Sequence, residues 1–124
     1  MYSPQVADHI ANPRNVGEIE HPSGTGDVTN EVCQDRIKLT IRIDEGMIVE
    51  AKVRANGCPP TIAAASVLTG LILKKHVSEL QSLGRADITK ALGRLPAAKA
   101  HCAVLAIDAL RAALQQSGET RDAR

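Results

Sequence analysis

RIKLTIRIDEGMIVEAKVRAN, residues 36–56, is the stretch that decides the fold class. Polar and apolar residues alternate from Arg36 to Asp44, which predicts a strand with one buried face. Residues 44–46 form a turn, and a second alternating run follows it. The inward positions predicted for this second run are Met47, Val49, Ala51 and Val53. The stretch is therefore an antiparallel hairpin.

The segment before the hairpin predicts a short helix and a weaker strand. Ser3-Pro4 is a typical helix start, with serine as the N-cap and proline at the first helical position. Asn12-Pro13 should end this helix, because the residue before a proline avoids helical geometry. Residues 15–26 are rich in glycine and proline and predict a mobile loop. Residues 27–33 predict a third strand.

The segment after the hairpin predicts helices. We expect a buried helix over residues 60–75, short helices over 77–83 and 87–92, and a final helix over 98–116. Strands early and helices late are typical of an α+β domain. In such a domain helices cover one face of a small antiparallel sheet, here of about three strands. We expect a single domain spanning residues 1–124, frayed from about residue 117.

Composition excludes several classes of partner. The chain has 124 residues, a formal net charge of +1, and Tyr2 as its single Phe, Tyr or Trp residue. A chain with so little net charge and no aromatic platform is poorly suited to nucleic acid. The longest apolar stretch, residues 62–73, is shorter than the roughly 20 residues that span a bilayer. With no secretory signal pattern at the N-terminus, we expect a cytoplasmic protein without a membrane anchor.

The three cysteines fall at the junctions between predicted elements. The chain has an odd number of cysteines, and they are widely spaced: Cys33, Cys58 and Cys102. Reduced thiols are therefore favoured over a disulfide framework. Thiolates are ligands for Zn²⁺, Cu(I) and iron–sulfur clusters. Asp35 and His101 are adjacent candidates for a fourth ligand. The spacing matches no local metal motif, so ordinary buried cysteines remain an equally good interpretation at this point.

Longer motifs carry a resemblance to a known family. The chain resembles iron–sulfur cluster scaffolds of the IscU/NifU N-terminal type, and it does so along nearly its whole length. The motifs are Tyr2-Ser3, Asp8-His9, residues 12–17 (NPRNVG), residues 33–35 (CQD), Gly57-Cys58 and residues 95–102 (LPAAKAHC). The resemblance implies a SufE/NifU-like fold with the three thiols at one end.

The resemblance also assigns roles to the candidate site residues. It implies that Cys33, Cys58 and Cys102 bind the cluster or iron, with Asp35 as a metal ligand involved in cluster release. His101 matches a histidine that can join the ligands. Cys102 is the sulfur acceptor that we favour. We expect its thiolate form to be stabilised by the N-terminus of the final helix and by Lys99.

The function implied by the resemblance is assembly of [2Fe–2S] clusters. Sulfur would come as persulfide from a cysteine desulfurase, and the finished cluster would pass to apo-proteins. This chemistry uses thiols stoichiometrically, so we expect no enzyme in the turnover sense, and zinc is an alternative metal in the isolated protein. A frataxin-like protein and Hsp70/J-type chaperones are further implied partners. The chaperone segment is carried by Leu95, Pro96 and Lys99.

Four departures from the family pattern keep alternatives open. Gln34 stands where the family usually has glycine, and Ala97-Ala98 replaces proline and valine, which predicts weak chaperone binding. Pro59-Pro60 replaces small residues and predicts a helix that begins at Pro60 or later, with Cys58 in an extended linker. The absence of a long insertion before Cys102 argues against the SufU branch. A SufU-type zinc-dependent sulfur carrier and an interaction domain that has lost the chemistry remain alternatives.

Overall fold

The chain folds as a three-stranded antiparallel sheet with helices packed on it. The computed structural model describes residues 2–118. The elements are α1 (Pro4–Ala11), β1 (Gly24–Thr29), β2 (Arg36–Asp44), β3 (Met47–Asn56), α2 (Pro59–Ile72), α3 (Arg85–Ala91) and α4 (His101–Ser117). The strand order is β1-β2-β3, and α2 and α4 pack against the sheet, which confirms the α+β class. Within residues 2–118 no helix is both long and apolar enough to cross a membrane.

A β-bulge in the hairpin corrects the predicted inward face of β3. Ile48 is fully buried, whereas Met47 and Val49 are 42% and 46% exposed. The pairing register shifts between Arg42 and Ile43, so one residue of β3 is left without a partner on β2. Because side chains alternate with a period of two, one extra residue exchanges the faces of everything beyond it. The prediction that Met47 and Val49 face the core is therefore wrong.

The first strand also lies elsewhere than predicted. It covers Gly24–Thr29 and ends before Cys33. Gly26 is buried against α4, where a side chain would collide with the backbone carbonyl of Ala109. A glycine in a strand is expected at such a close backbone approach. The glycines that indicated a loop are thus what allows β1 to pack against α4.

The predicted mobile loop before β1 is held against the sheet over part of its length. The Gly17 N–H donates to the Val53 carbonyl at 2.9 Å, and the Val53 N–H donates to the Asn15 carbonyl at 2.8 Å. Ile19 is buried, and its N–H donates to Thr40 Oγ1 at 3.1 Å. The two hydrogen bonds to Val53 pair part of the free edge of β3, which would otherwise expose unpaired backbone groups.

The helix boundaries place the cysteines. Ser3 caps α1 as predicted, accepting a hydrogen bond from the backbone of Val6. The second helix begins at Pro59, one residue earlier than predicted, but Cys58 does have the expected extended backbone. A short 3-10 turn, Ala97–Lys99, precedes α4. Of the predicted frayed tail, residues 119–124 lie outside the described residues.

Candidate metal centre

Four of the predicted site residues converge at one end of the sheet. Asp35 directly precedes β2, Cys58 directly precedes α2, and His101 and Cys102 are the first two residues of α4. One potential ligand atom from each lies within 4.8 Å of those of the other three. We call these four residues the ligand tetrad. They form a site that could hold a single metal ion.

Asp35 is the hydrogen-bonding centre of the tetrad. Its Oδ1 accepts from the backbone N–H of Cys58 at 3.2 Å, and its Oδ2 accepts from the Thr61 hydroxyl at 2.9 Å. His101 Nε2 lies 3.0 Å from the same Oδ2. Burial alone would raise the pKa of Asp35, but the hydrogen bonds from His101, Thr61 and Cys58 outweigh it and lower the pKa. The carboxylate is therefore held ionised and ready to bind a cation.

Gly57 allows the Asp35 carboxylate to approach the start of α2. Its φ is +133°, and a methyl group there would overlap Asp35 Oδ1. A glycine is required at this strand-to-helix turn because other residues rarely adopt that backbone conformation and would also displace the carboxylate.

We expect Gly57→Ala to damage the site more than the fold. The displaced carboxylate should weaken Zn²⁺ binding by roughly 10–100-fold, as loss of a supporting interaction in a metal site commonly does. The affinity can be measured by competition with a chromophoric chelator. Gly70→Ala is the matched control, because Gly70 lies in α2 and a methyl group there meets nothing within 4 Å. Equal losses of zinc affinity in the two variants would contradict this role of Gly57.

The two sulfur atoms in the tetrad are spaced as metal ligands. Cys58 Sγ and Cys102 Sγ lie 3.7 Å apart. Two thiolates bound to one tetrahedral Zn²⁺ at about 2.3 Å are about 3.8 Å apart, so little movement is needed to bind a metal ion. Two sulfurs, one imidazole nitrogen and one carboxylate oxygen suit Zn²⁺ and also iron.

The protonation state of Cys102 differs from the prediction. Its side chain is fully buried, and burial raises the pKa of the thiol to about 12. Burial is the largest cause of this rise in the pKa, and the neighbouring Cys58 and Asp35 add to it. The prediction that this position favours thiolate is therefore wrong for the metal-free protein, because burial of the sulfur disfavours its charged form.

Cys33 lies outside the tetrad. It is exposed, in a turn where the Asn30 side chain accepts hydrogen bonds from the backbone N–H groups of Val32 and Cys33 at 3.0 and 2.9 Å. The neighbouring Gln34 has a φ of +64°, the left-handed conformation that favours glycine. Convergence of all three thiols was predicted, but the structure brings together only Cys58 and Cys102.

The predicted chaperone segment lies directly before the site. Leu95 and Pro96 are half-buried in an extended connector, and Lys99 ends the 3-10 turn that leads into α4. Ala97 and Ala98, which replace the usual proline and valine, are exposed. A protein that binds this segment would therefore contact the chain close to His101 and Cys102.

Thr61 is a site residue that the sequence analysis missed. It is fully buried, and its Oγ1 lies 3.3 Å from Cys58 Sγ and 3.2 Å from Cys102 Sγ. Residues three apart in a helix lie on the same face, so its spacing from Cys58 was the available signal.

Comparison with known proteins assigns the family. A family model described as the NifU-like N-terminal domain matches residues 1–122. The chain belongs to this family. The ligand tetrad, from Asp35 to Cys102, lies entirely within the matched residues of this NifU-like domain.

Two relatives and one solved structure agree with that assignment. The iron–sulfur cluster assembly scaffold protein IscU 1 of Archaeoglobus fulgidus is 42% identical over 114 residues, covering 92% of this chain and 74% of that protein. The IscU scaffold protein of Escherichia coli K12 is 39% identical over 127 residues, covering 99% and 98%. A nitrogen-fixing NifU-like protein (N-terminal) from Brucella abortus has a TM-score of 0.78, with 94% of each chain covered. At 16% identity it shows the shared fold alone.

Proposed function

We propose that this NifU-like domain is a scaffold on which [2Fe–2S] clusters are assembled, with iron and sulfur as its substrates. The observation that carries the proposal is the convergence of Asp35, Cys58, His101 and Cys102 in a chain that is about 40% identical to proteins named as such scaffolds. The product is a cluster that leaves the chain for apo-proteins. A protein that uses its thiols in this stoichiometric way is not an enzyme in the turnover sense.

The first substrate is an iron ion held by the tetrad. Two soft thiolates retain the metal, and the hard Asp35 carboxylate is the exchangeable ligand. Binding requires both thiols to lose their protons, so the metal must displace the proton that Cys102 holds in its buried position. We propose Cys33 as the third thiolate for the complete cluster, brought in by rearrangement of its exposed turn.

The second substrate is sulfur from a cysteine desulfurase. The acceptor thiolate attacks the outer sulfur of the donor persulfide, the donor S–S bond breaks, and its electron pair leaves with the donor cysteine. We retain Cys102 as the acceptor. Because its sulfur is buried, the site must open before the donor can reach it. A frataxin-like protein and Hsp70/J-type chaperones are further proposed partners, the latter at Leu95, Pro96 and Lys99.

Anaerobic reconstitution with iron and sulfide tests the proposal. The wild type should become brown and contain iron with acid-labile sulfide, and a variant with all three cysteines changed to serine should contain neither. A colourless protein that retains only zinc would support the alternative of a zinc-dependent sulfur carrier, which the 3.7 Å sulfur spacing also suits. Metal binding that does not depend on the thiols would contradict both and favour an interaction domain.

A further inference from the structure

The Thr61 hydroxyl lies between the carboxylate and both thiols of the tetrad. Its Oγ1 is 2.9 Å from Asp35 Oδ2 and within 3.3 Å of both Cys58 Sγ and Cys102 Sγ. A hydroxyl has one hydrogen, so it can donate to only one of these three acceptors at a time. In the metal-free protein the charged carboxylate takes that hydrogen, since charge-assisted hydrogen bonds are the stronger ones.

The first turn of α2 offers the sulfurs no backbone donor. Pro59 and Pro60 have no N–H. The Cys58 N–H donates to Asp35 Oδ1, and the Thr61 N–H donates to the Cys58 carbonyl. Within residues 58–61 the Thr61 hydroxyl is therefore the only donor besides the thiols themselves that can reach a sulfur atom.

We infer that Thr61 is a positioning residue that exchanges its hydrogen-bond acceptor when a metal ion binds. This inference rests on the proposed function of the tetrad. A cation bound at Asp35 Oδ2 neutralises the charge that made this oxygen the preferred acceptor, so the hydroxyl hydrogen turns to Cys58 Sγ or Cys102 Sγ. The sulfurs are already within range, so the exchange needs only rotation of the hydroxyl. The hydroxyl then supports a thiolate while Asp35 is bound, and returns to Asp35 when the carboxylate leaves the metal.

Thr61 therefore couples dissociation of the exchangeable ligand, Asp35, to the stability of the metal-bound thiolate. A hydrogen bond to a metal-bound thiolate withdraws electron density from sulfur and stabilises the thiolate. When Asp35 dissociates and recovers the hydroxyl, the thiolate loses that support. Departure of one ligand thereby weakens another, which favours release of the bound metal.

Binding of Co²⁺ under anaerobic conditions tests this inference without requiring cluster assembly. Thr61→Val keeps the shape of the side chain but removes the hydroxyl. We expect its sulfur-to-cobalt charge-transfer band to move to longer wavelength, and Co²⁺ affinity to fall by roughly 10–100-fold. Thr61→Ser should restore both properties. Thr69→Val, a buried threonine of the same helix without contact to the sulfurs, is the matched control and should keep the wild-type band.

An unshifted band in Thr61→Val, or an equal shift in Thr69→Val, would overturn the inference. A wild type without any sulfur-to-cobalt band would overturn it too. Should Thr61→Val not fold, Thr61→Ala is compared with Thr61→Ser, since both lack the methyl group and only serine keeps the hydroxyl. A wild type that binds Co²⁺ through sulfur but never assembles a cluster would refute the proposed function alone.

Discussion

Cys58→Ser and Cys102→Ser should each lower Zn²⁺ affinity by more than about 100-fold, whereas Cys33→Ser should leave it close to that of the wild type. The reason is the geometry of the tetrad. Cys58 and Cys102 lie 3.7 Å apart beside Asp35 and His101, and Cys33 is exposed outside the group. Losing a ligand should cost more than the roughly 10–100-fold lost with an outer supporting group.

In cluster retention, by contrast, the same three variants should behave alike. A [2Fe–2S] cluster is usually held by four thiolates, and this chain has three cysteines. Loss of any one of them, Cys33 included, should therefore prevent a stable cluster. Chelator competition measures zinc affinity, and acid-labile sulfide after anaerobic reconstitution measures the cluster content. Together they separate the cysteines needed for zinc binding from those needed for cluster retention. A Cys33→Ser variant that loses zinc as completely as Cys58→Ser would show that Cys33 already belongs to the metal site.

Asp35→Ala should give a reconstituted cluster that survives several-fold longer in air than that of the wild type. In the proposed site Asp35 is the hard ligand beside soft thiolates, and its carboxylate also accepts hydrogen bonds from the Thr61 hydroxyl and the Cys58 backbone N–H. Each of these donors stabilises the carboxylate when it is off the metal and so favours its dissociation. Removing Asp35 closes this route of release.

The decay of visible absorbance in air measures this lifetime. Asp108→Ala is the matched control, because Asp108 is an exposed carboxylate farther along α4 and should leave the lifetime unchanged. A shorter lifetime for Asp35→Ala would mean that the carboxylate retains the cluster, and the role of exchangeable ligand would then be wrong.

Local pattern was sufficient for most of the secondary structure but not for register. The alternation over Arg36–Asp44 predicted β2 at its observed bounds. The same rule failed at Met47 and Val49, because a bulge inserts one residue and exchanges the faces of β3. A bulge depends on how two strands pair, and nothing within either strand alone indicates it.

Glycine shows the same division between local and tertiary information. The glycine and proline pattern predicts a loop at Gly26, but it is a strand residue whose missing side chain admits the backbone of Ala109. Gly57 likewise has its role because of Asp35, which is distant in sequence. Glycine permits both a turn and a close approach, and only the neighbour that approaches distinguishes the two.

The sequence by itself determined the α+β class and the family, and it indicated the five candidate ligands from which the tetrad is drawn, because alternation, helix signals and motif letters are local properties. Only the tertiary structure decided which ligands lie together. Cys33 and Asp35 are two residues apart, yet one is exposed in a turn and the other is buried beside Cys58. Tertiary structure also decided the direction of the Cys102 pKa shift, since burial raises the pKa and depends on everything packed around the sulfur, whereas its place at a helix start indicated thiolate.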